Sequence, residues 1–184
     1  PITGVSIDSR TVRPGDLFFA LCGENTDGHV HLPAALAAGA AGAVAVAGKY
    51  EKPTHGAVLE VADTAQGLWR MAQGHRSAVK ALVVGVTGSV GKTTVKEMVA
   101  GVLAAEAHVA RTPGNWNNEL GLPLSLLGMP VGTRAGVFEV GMSHPGELKS
   151  LCELLLPDWG VITRIGPVHI EFFDSVEAIA REKG

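Results

Sequence analysis

The chain predicts an α/β fold in two parts, a small mixed α/β N-terminal domain followed by a phosphate-loop domain on a parallel sheet. Apolar runs of strand length alternate with helical patterns from residue 81 onward. The first of those strands runs into Gly85-Val86-Thr87-Gly88-Ser89-Val90-Gly91-Lys92-Thr93-Thr94, a glycine-rich turn that opens a helix. The character of the chain also changes near residue 80, which sets the expected boundary between domains at 1–80 and 81–184.

In the first part, apolar runs at 5–7 and 17–21 read as two short strands joined by a tight connection through Arg13-Pro14-Gly15-Asp16. An alanine-rich helix at 32–38 is stopped by Gly39, and strands follow at 43–47 and 58–61. Thr64 is placed to cap a helix that runs to about His75, after which 76–80 reads as a linker. In the second part, strands at 81–86, 107–110, 136–140 and 159–163 alternate with helices at 93–105, 119–127, 146–155 and 175–183. That alternation implies parallel strands with helices on both faces, and ligands gathered beyond the strands' carboxyl ends.

Composition narrows the function. A net charge of -3 with 18% charged and 46% apolar residues excludes a disordered chain and a general nucleic-acid binder, so a polyanion has to be bound locally. No apolar stretch nears the ~20 residues of a membrane span and no signal peptide is visible, so a soluble, cytoplasmic protein is expected. Cys22 and Cys152 are isolated and read as reduced thiols packed as small apolar groups. Pro1 and Gly184 at the ends suggest a piece of something longer.

The glycine-rich turn has the chemistry of a phosphate site. Glycines let the backbone approach a polyphosphate, the helix N-terminus offers unpaired N–H groups, Lys92 adds a cation and Thr93 a hydroxyl suited to Mg²⁺. The strict G-x-x-x-x-G-K-[ST] spacing would need glycine at Val86, so the match is to the shorter G-x-x-G-K-T-T. Glu139 ends a strand at the same sheet edge, where a carboxylate either coordinates Mg²⁺ or is simply solvated. His169 follows another strand and the turn Gly166-Pro167; alone it is as well read as structural. Asn115, Asn117 and Asn118 lie in one loop, suited either to a polar ligand or, through Asn118, to capping the next helix. Lys183 passes for a surface helix lysine. Asp8, Ser9 and Arg10, with the turn 23–29 that holds Asp27 and His29, supply groups for an anion or a base edge, or serve as turns.

S-x-D-S-R from Ser6, P-G-D-L-F-F-A-L from Pro14, G-K-T-T-V-K-E-M from Gly91, G-N-W-N-N-E-L-G-L-P-L from Gly114, F-E-V-G-M-S-H-P-G-E-L from Phe138 and V-H-I-E-F-F-D-S-V-E-A-I-A-x-x-K from Val168 together resemble the Mur ligases. Within that family the Asn loop points to the branch that adds D-alanyl-D-alanine to UDP-N-acetylmuramoyl-tripeptide. The resemblance implies ATP and Mg²⁺ as cofactors, an acyl phosphate intermediate, and small-molecule partners with no nucleic acid, no membrane insertion and a monomeric state. By that resemblance Gly88, Ser89, Val90, Gly91, Lys92, Thr93 and Thr94 hold the nucleotide phosphates, with Asn115 and Asn118 also on the nucleotide. Thr93 and Glu139 serve one Mg²⁺ and His169 a second, while Lys183 stands where the family carries a carbamylated lysine. Lys92, Glu139, His169 and Lys183 are the implied catalytic set. Asp8, Ser9, Arg10, Asp27 and His29 bind the UDP end of the substrate. A third domain is also implied, so this stretch is expected to be truncated and inactive alone. The alternatives are another amide ligase of the same fold, either an amino-acid-adding muramyl ligase or a folylpolyglutamate synthase, and a non-catalytic nucleotide-binding module.

Overall fold

The computed structural model describes residues 1–23 and 26–184; Glu24 and Asn25, within the turn singled out above, lie outside the described residues. The chain divides into two compact units, Pro1–Met71 and Ala72–Gly184.

The first unit holds strands β1 (Gly4–Ser6), β2 (Asp16–Phe19), β3 (Gly42–Val46) and β4 (Ala57–Val61), helix α1 (Leu32–Ala37), and the start of α2 (Thr64–Ala78). The four strands lie in the order β1-β2-β3-β4 and every pair is parallel. The first two strands are therefore not the closely turned pair that the sequence suggests. The turn itself forms, with Asp16 N–H on the Arg13 carbonyl at 3.0 Å and Arg13 N–H on Asp16 Oδ2 at 2.8 Å. It sits at the foot of β2, and residues 7–15 carry the chain back so that both strands point the same way. Phe18, Ala20, Leu32, Ala35, Ala43 and Ala45 form the core.

Gly39 ends α1 as expected. At φ +100° it lets its own N–H reach the Leu36 carbonyl and that of Ala40 reach Ala35, closing the orphan carbonyls of the last turn. The cap of α2 is a correction: Asp63, not Thr64, accepts the Gln66 N–H at 2.9 Å, while the Thr64 hydroxyl donates to the Ala20 carbonyl. Cys22 is exposed rather than packed, because an isolated bridge to Asp27 holds it in a surface loop.

The second unit contains β5 (Leu82–Thr87), α3 (Lys92–Leu103), β6 (Val109–Arg111), α4 (Gly121–Leu127), β7 (Ala135–Glu139), α5 (Glu147–Leu155), β8 (Trp159–Ile162) and α6 (Val176–Lys183). Its strands are all parallel in the order β6-β7-β5-β8. From Val83 to Thr87 β5 is buried, the continuous apolar run of a strand covered on both faces. Val84 and Val86 pack with Ala100 and Val95 of α3, whereas a Cβ on Gly85 would meet Leu155 of α5 at 3.4 Å. Side chains alternate along a strand, so α3 and α5 cover opposite faces. The chain runs out from β5 to β6, returns to β7, then crosses to β8, and this reversal lies beside the carboxyl end of β5.

Residues 76–78, expected as linker, are the last turn of α2. Arg76 is buried there and donates to the carbonyls of Val79, Leu155 and Leu156, the last two at the C-terminus of α5. No helix among the described residues is long and apolar enough to cross a membrane.

Candidate active site

The loop after β5 has a backbone conformation that favours glycine at two points. Gly88 has φ +142°, and a Cβ there would lie 2.1 Å from Thr163 Oγ1; Gly91 has φ +87°. Gly91 is also the N-cap of α3 and provides no side chain to satisfy the first-turn N–H groups, which stay available to an anion. Ser89 ties the loop to the segment after β8: its hydroxyl donates to the Gly166 carbonyl at 3.0 Å and accepts the Gly166 N–H at 2.9 Å, while its N–H reaches the Arg164 carbonyl. Lys92 folds back over the loop, its Nζ 2.9 Å from the Gly88 carbonyl. Val90 in the loop and Thr94 in the first turn of α3 are exposed. The Thr87 hydroxyl, at the loop's start, is buried without a hydrogen-bond partner.

Parallel register pairs Val86 with Glu139, which brings the end of β7 level with the start of this loop. Glu139 is 2% exposed. Its carboxylate accepts from the Thr93 hydroxyl at 2.7 Å and from Asn117 Nδ2 at 2.7 Å, and its N–H donates to Thr112 Oγ1 at 2.9 Å. Both carboxylate partners are neutral, and no ion pair reaches Glu139 among the described residues. A buried anion without a cationic neighbour is costly, and the oxygen donors of Thr93 and Glu139 side by side suit a hard cation such as Mg²⁺. The residues present therefore fit a Mg²⁺–phosphate group.

Of the three amides read from the sequence, Asn117 is the one that meets Glu139, a role the sequence left unassigned. Asn118 Oδ1 accepts the N–H groups of Leu120 and Gly121 at 3.3 and 2.9 Å, which is the capping alternative for the start of α4. Asn115 is exposed. Lys96 and Thr112 were also missed as members of this frame: one lies inside a helical pattern and the other between a strand and a proline, with no spacing to mark them.

Lys183 lies in the last turn of α6, 6% exposed. Burial and then the nearby Lys92 ammonium push its pKa down, with Glu182 opposing. His169 is exposed at φ +56°, at the head of the one-turn helix Ile170–Phe172, and among the described residues it forms no hydrogen bond or ion pair with the Glu139 group.

In the first unit Asp8 receives the Arg10 guanidinium through Nε at 2.9 Å and Nη2 at 2.7 Å, together with the Arg10 N–H. These bonds hold Asp8 at about 2, and they commit much of the Arg10 fork that an incoming anion would use. Ser9 sits between them, half-buried. His29 is buried, accepts the Val46 N–H on Nε2 at 2.9 Å and faces Asp27 Oδ1 through Nδ1. Because Nε2 is an acceptor, the ring proton sits on Nδ1 and is donated to Asp27. Cys22, Asp27 and His29 bring ligand-type atoms within 4.8 Å of one another, but that tautomer leaves no Nδ1 lone pair for a metal.

The middle-domain model of the Mur ligases matches residues 86–184, and the model described as Mur ligase family, catalytic domain, matches residues 1–76. The UDP-N-acetylmuramoyl-tripeptide–D-alanyl-D-alanine ligase of Bacillus subtilis is 41% identical over 182 residues, which is 99% of this chain and 40% of the relative. The Escherichia coli ligase of the same name is 36% identical over 183 residues, 100% of this chain and 40% of the relative. Among solved structures, MurF from Acinetobacter baumannii superposes with a TM-score of 0.86 at 33% identity, covering 99% of this chain and 40% of that one. MurF from Thermotoga maritima, in complex with ADP, superposes with a TM-score of 0.85 at 36% identity, covering 98% of this chain and 42% of that one. The chain thus spans about two fifths of the length of the relatives it matches.

Proposed function

The chain belongs to the Mur ligase family, and from that premise we propose that it carries the nucleotide site and the UDP-substrate region of an ATP-dependent ligase that adds D-alanyl-D-alanine to UDP-N-acetylmuramoyl-tripeptide. The observation that carries this reading is the buried Glu139 carboxylate held by Thr93 and Asn117 beside the phosphate loop. The names of the relatives at 36–41% identity supply the substrate class, and the ADP complex of the Thermotoga structure supports ATP as the nucleotide.

The chemistry follows from charge. The substrate carboxylate attacks the γ-phosphorus of ATP, forming an acyl phosphate and releasing ADP; the amine of D-alanyl-D-alanine then displaces phosphate to form the amide. Two anions must meet in line in the first step, so the site's main task is to offset their repulsion. The loop N–H groups of Gly88, Val90 and Gly91 bind the phosphate oxygens, that of Ser89 being held by the Arg164 carbonyl, and Lys92 turns from the Gly88 carbonyl to the β- and γ-phosphates. Thr93 and Glu139 hold Mg²⁺, which when bound neutralises charge on the phosphate oxygens. His169 belongs to a second cation, and Lys183, as its carbamate, adds a carboxylate to it. Asp8, Ser9, Arg10, Asp27 and His29 belong to the region that takes the UDP end. Soluble nucleotide-linked substrates support a cytoplasmic site of action.

Calorimetric titration with UDP-N-acetylmuramoyl-tripeptide, with a folate polyglutamate precursor as the control, tests the substrate class. Saturable binding of the UDP compound alone is expected. Binding of the folate compound instead would move the chain to the folate branch of the fold.

A further inference from the structure

Lys96 has a property no surface lysine has: it is charged and 0% exposed. Burying an ammonium is tolerated only when every N–H is spent. Here the three donors meet three acceptors, the carbonyl of Thr112 at 2.8 Å, the carbonyl of Gly114 at 3.1 Å and Glu97 Oε1 at 2.9 Å. Glu97 is held in turn by Arg111 Nε at 3.1 Å. Lys96 does not touch the phosphate loop, yet it lies one turn beyond Thr93 on the same face of α3.

The residue it grips is the one from which Glu139 hangs. The Thr112 carbonyl is fixed by Lys96, while Thr112 Oγ1 accepts the Glu139 N–H at 2.9 Å. Gly114, the second carbonyl, opens the loop that brings Asn117 Nδ2 to Glu139 Oε1 at 2.7 Å. One helix therefore fixes Glu139 twice: directly, through the Thr93 hydroxyl, and indirectly, through Lys96 and the strand end at Thr112. Resting on the nucleotide–metal reading above, we propose that Lys96 is a positioning residue for the cation site, and that its ammonium sets the place of the Glu139 carboxylate through Thr112 and the Asn loop. Simple neutralisation of Glu97 does not account for the arrangement, since two of the three donors go to loop carbonyls. Partners that orient a metal ligand are worth about 10–100-fold in metal affinity.

The test is Mn²⁺ affinity in the presence of ADP, read by electron paramagnetic resonance on the full-length protein, beside the thermal melting of each variant. Lys96→Met is expected to weaken Mn²⁺ binding about tenfold or more. The double variant Lys96→Met/Glu97→Gln removes the ion pair, whose Glu97 end is half exposed, and leaves the Thr112 and Gly114 carbonyls without their donor; it is expected to bind Mn²⁺ as weakly as Lys96→Met, whereas Glu97→Gln alone is expected to bind it within a few-fold of the unaltered protein. Thr112→Val, which keeps the shape but loses the acceptor for the Glu139 N–H, is expected to show the same weakening even if Lys96→Met does not fold. Mn²⁺ affinity that returns in the double variant, or that survives Thr112→Val, overturns the proposal. Failure of the unaltered protein to bind Mn²⁺ with ADP overturns the nucleotide–metal reading itself, and the proposal with it.

Discussion

The hydroxyl of Thr93, in the first turn of α3, lies 2.7 Å from Oε2 of Glu139 at the end of β7. This pair joins the helix that follows the phosphate loop to the neighbouring strand. Glu139→Gln keeps the shape and both hydrogen bonds within reach but removes the charge. The expected result is a loss of at least about a hundredfold in the Mg²⁺-dependent rate of the full-length protein, measured by ADP release over a Mg²⁺ series. An unchanged rate would remove Glu139 from the cation site.

Lys92→Ala separates the two units. Lys92 is expected to touch only the nucleotide, so the variant should lose ATP-dependent turnover while binding UDP-N-acetylmuramoyl-tripeptide within a few-fold of the unaltered protein, as measured by calorimetry. Equal loss of both would contradict the assignment of separate roles to the two units.

The architecture of the second unit was legible because its signals are local. The run 81–86 precedes a glycine-rich turn, and a parallel strand buried on both faces has no polar alternation to blur it. The Glu139 position followed from the same logic, a carboxylate at a strand end beside the loop. What the sequence could not show depends on contacts between distant segments. Asn117 and Asn118 are neighbours of the same type, and only the fold assigns one to Glu139 and the other to the start of α4. The connection from β1 to β2 is longer than the tight one the sequence suggests, because the turn at Arg13–Asp16 is real but does not join paired strand ends, and the two strands run parallel. Arg76 reads as linker because its acceptors lie about eighty residues away, at Leu155 and Leu156.

Arg76 gives a stability prediction. Leu156, at φ +47°, ends α5, and the guanidinium satisfies carbonyls of its last turn that would otherwise be orphaned. Arg76→Ala should destabilise the second unit by about 2–4 kcal/mol in urea unfolding, since it leaves buried acceptors unpaired. A loss below about 0.5 kcal/mol would mean that water replaces the guanidinium without cost.

Asp27 gives a pH prediction in the first unit. The His29 N–H, and next the His29 imidazole, hold its carboxyl down from 3.8 to about 2. A carboxyl depressed by folding contributes stability that is complete above its unfolded value and is lost as pH falls through the folded one. Between about pH 4 and about pH 2 the protein should therefore lose stability that Asp27→Asn does not lose, as measured by urea unfolding at several pH values. Parallel pH profiles for the two proteins would show that this pair contributes nothing to acid stability.

Lys183 is pushed the other way. Burial first, and then the Lys92 ammonium, lower its pKa, so folding disfavours its charged form. The resulting penalty is present below the folded pKa and is relieved as pH rises toward the ordinary lysine value. A lysine so placed reaches its neutral, CO₂-reactive amine at lower pH than surface lysines do. With ¹³C-bicarbonate, a carbamate resonance is expected that Lys183→Arg abolishes. The same resonance in that variant would assign the carbamate elsewhere.

The most direct measurement is release of inorganic phosphate from ATP by the full-length protein, with UDP-N-acetylmuramoyl-tripeptide and D-alanyl-D-alanine added singly and together. Stoichiometric phosphate and amide product only when both substrates are present, and none after Lys92→Ala, is the predicted result. Phosphate release indifferent to either substrate would contradict the ligase reading and leave a nucleotide-binding module in its place.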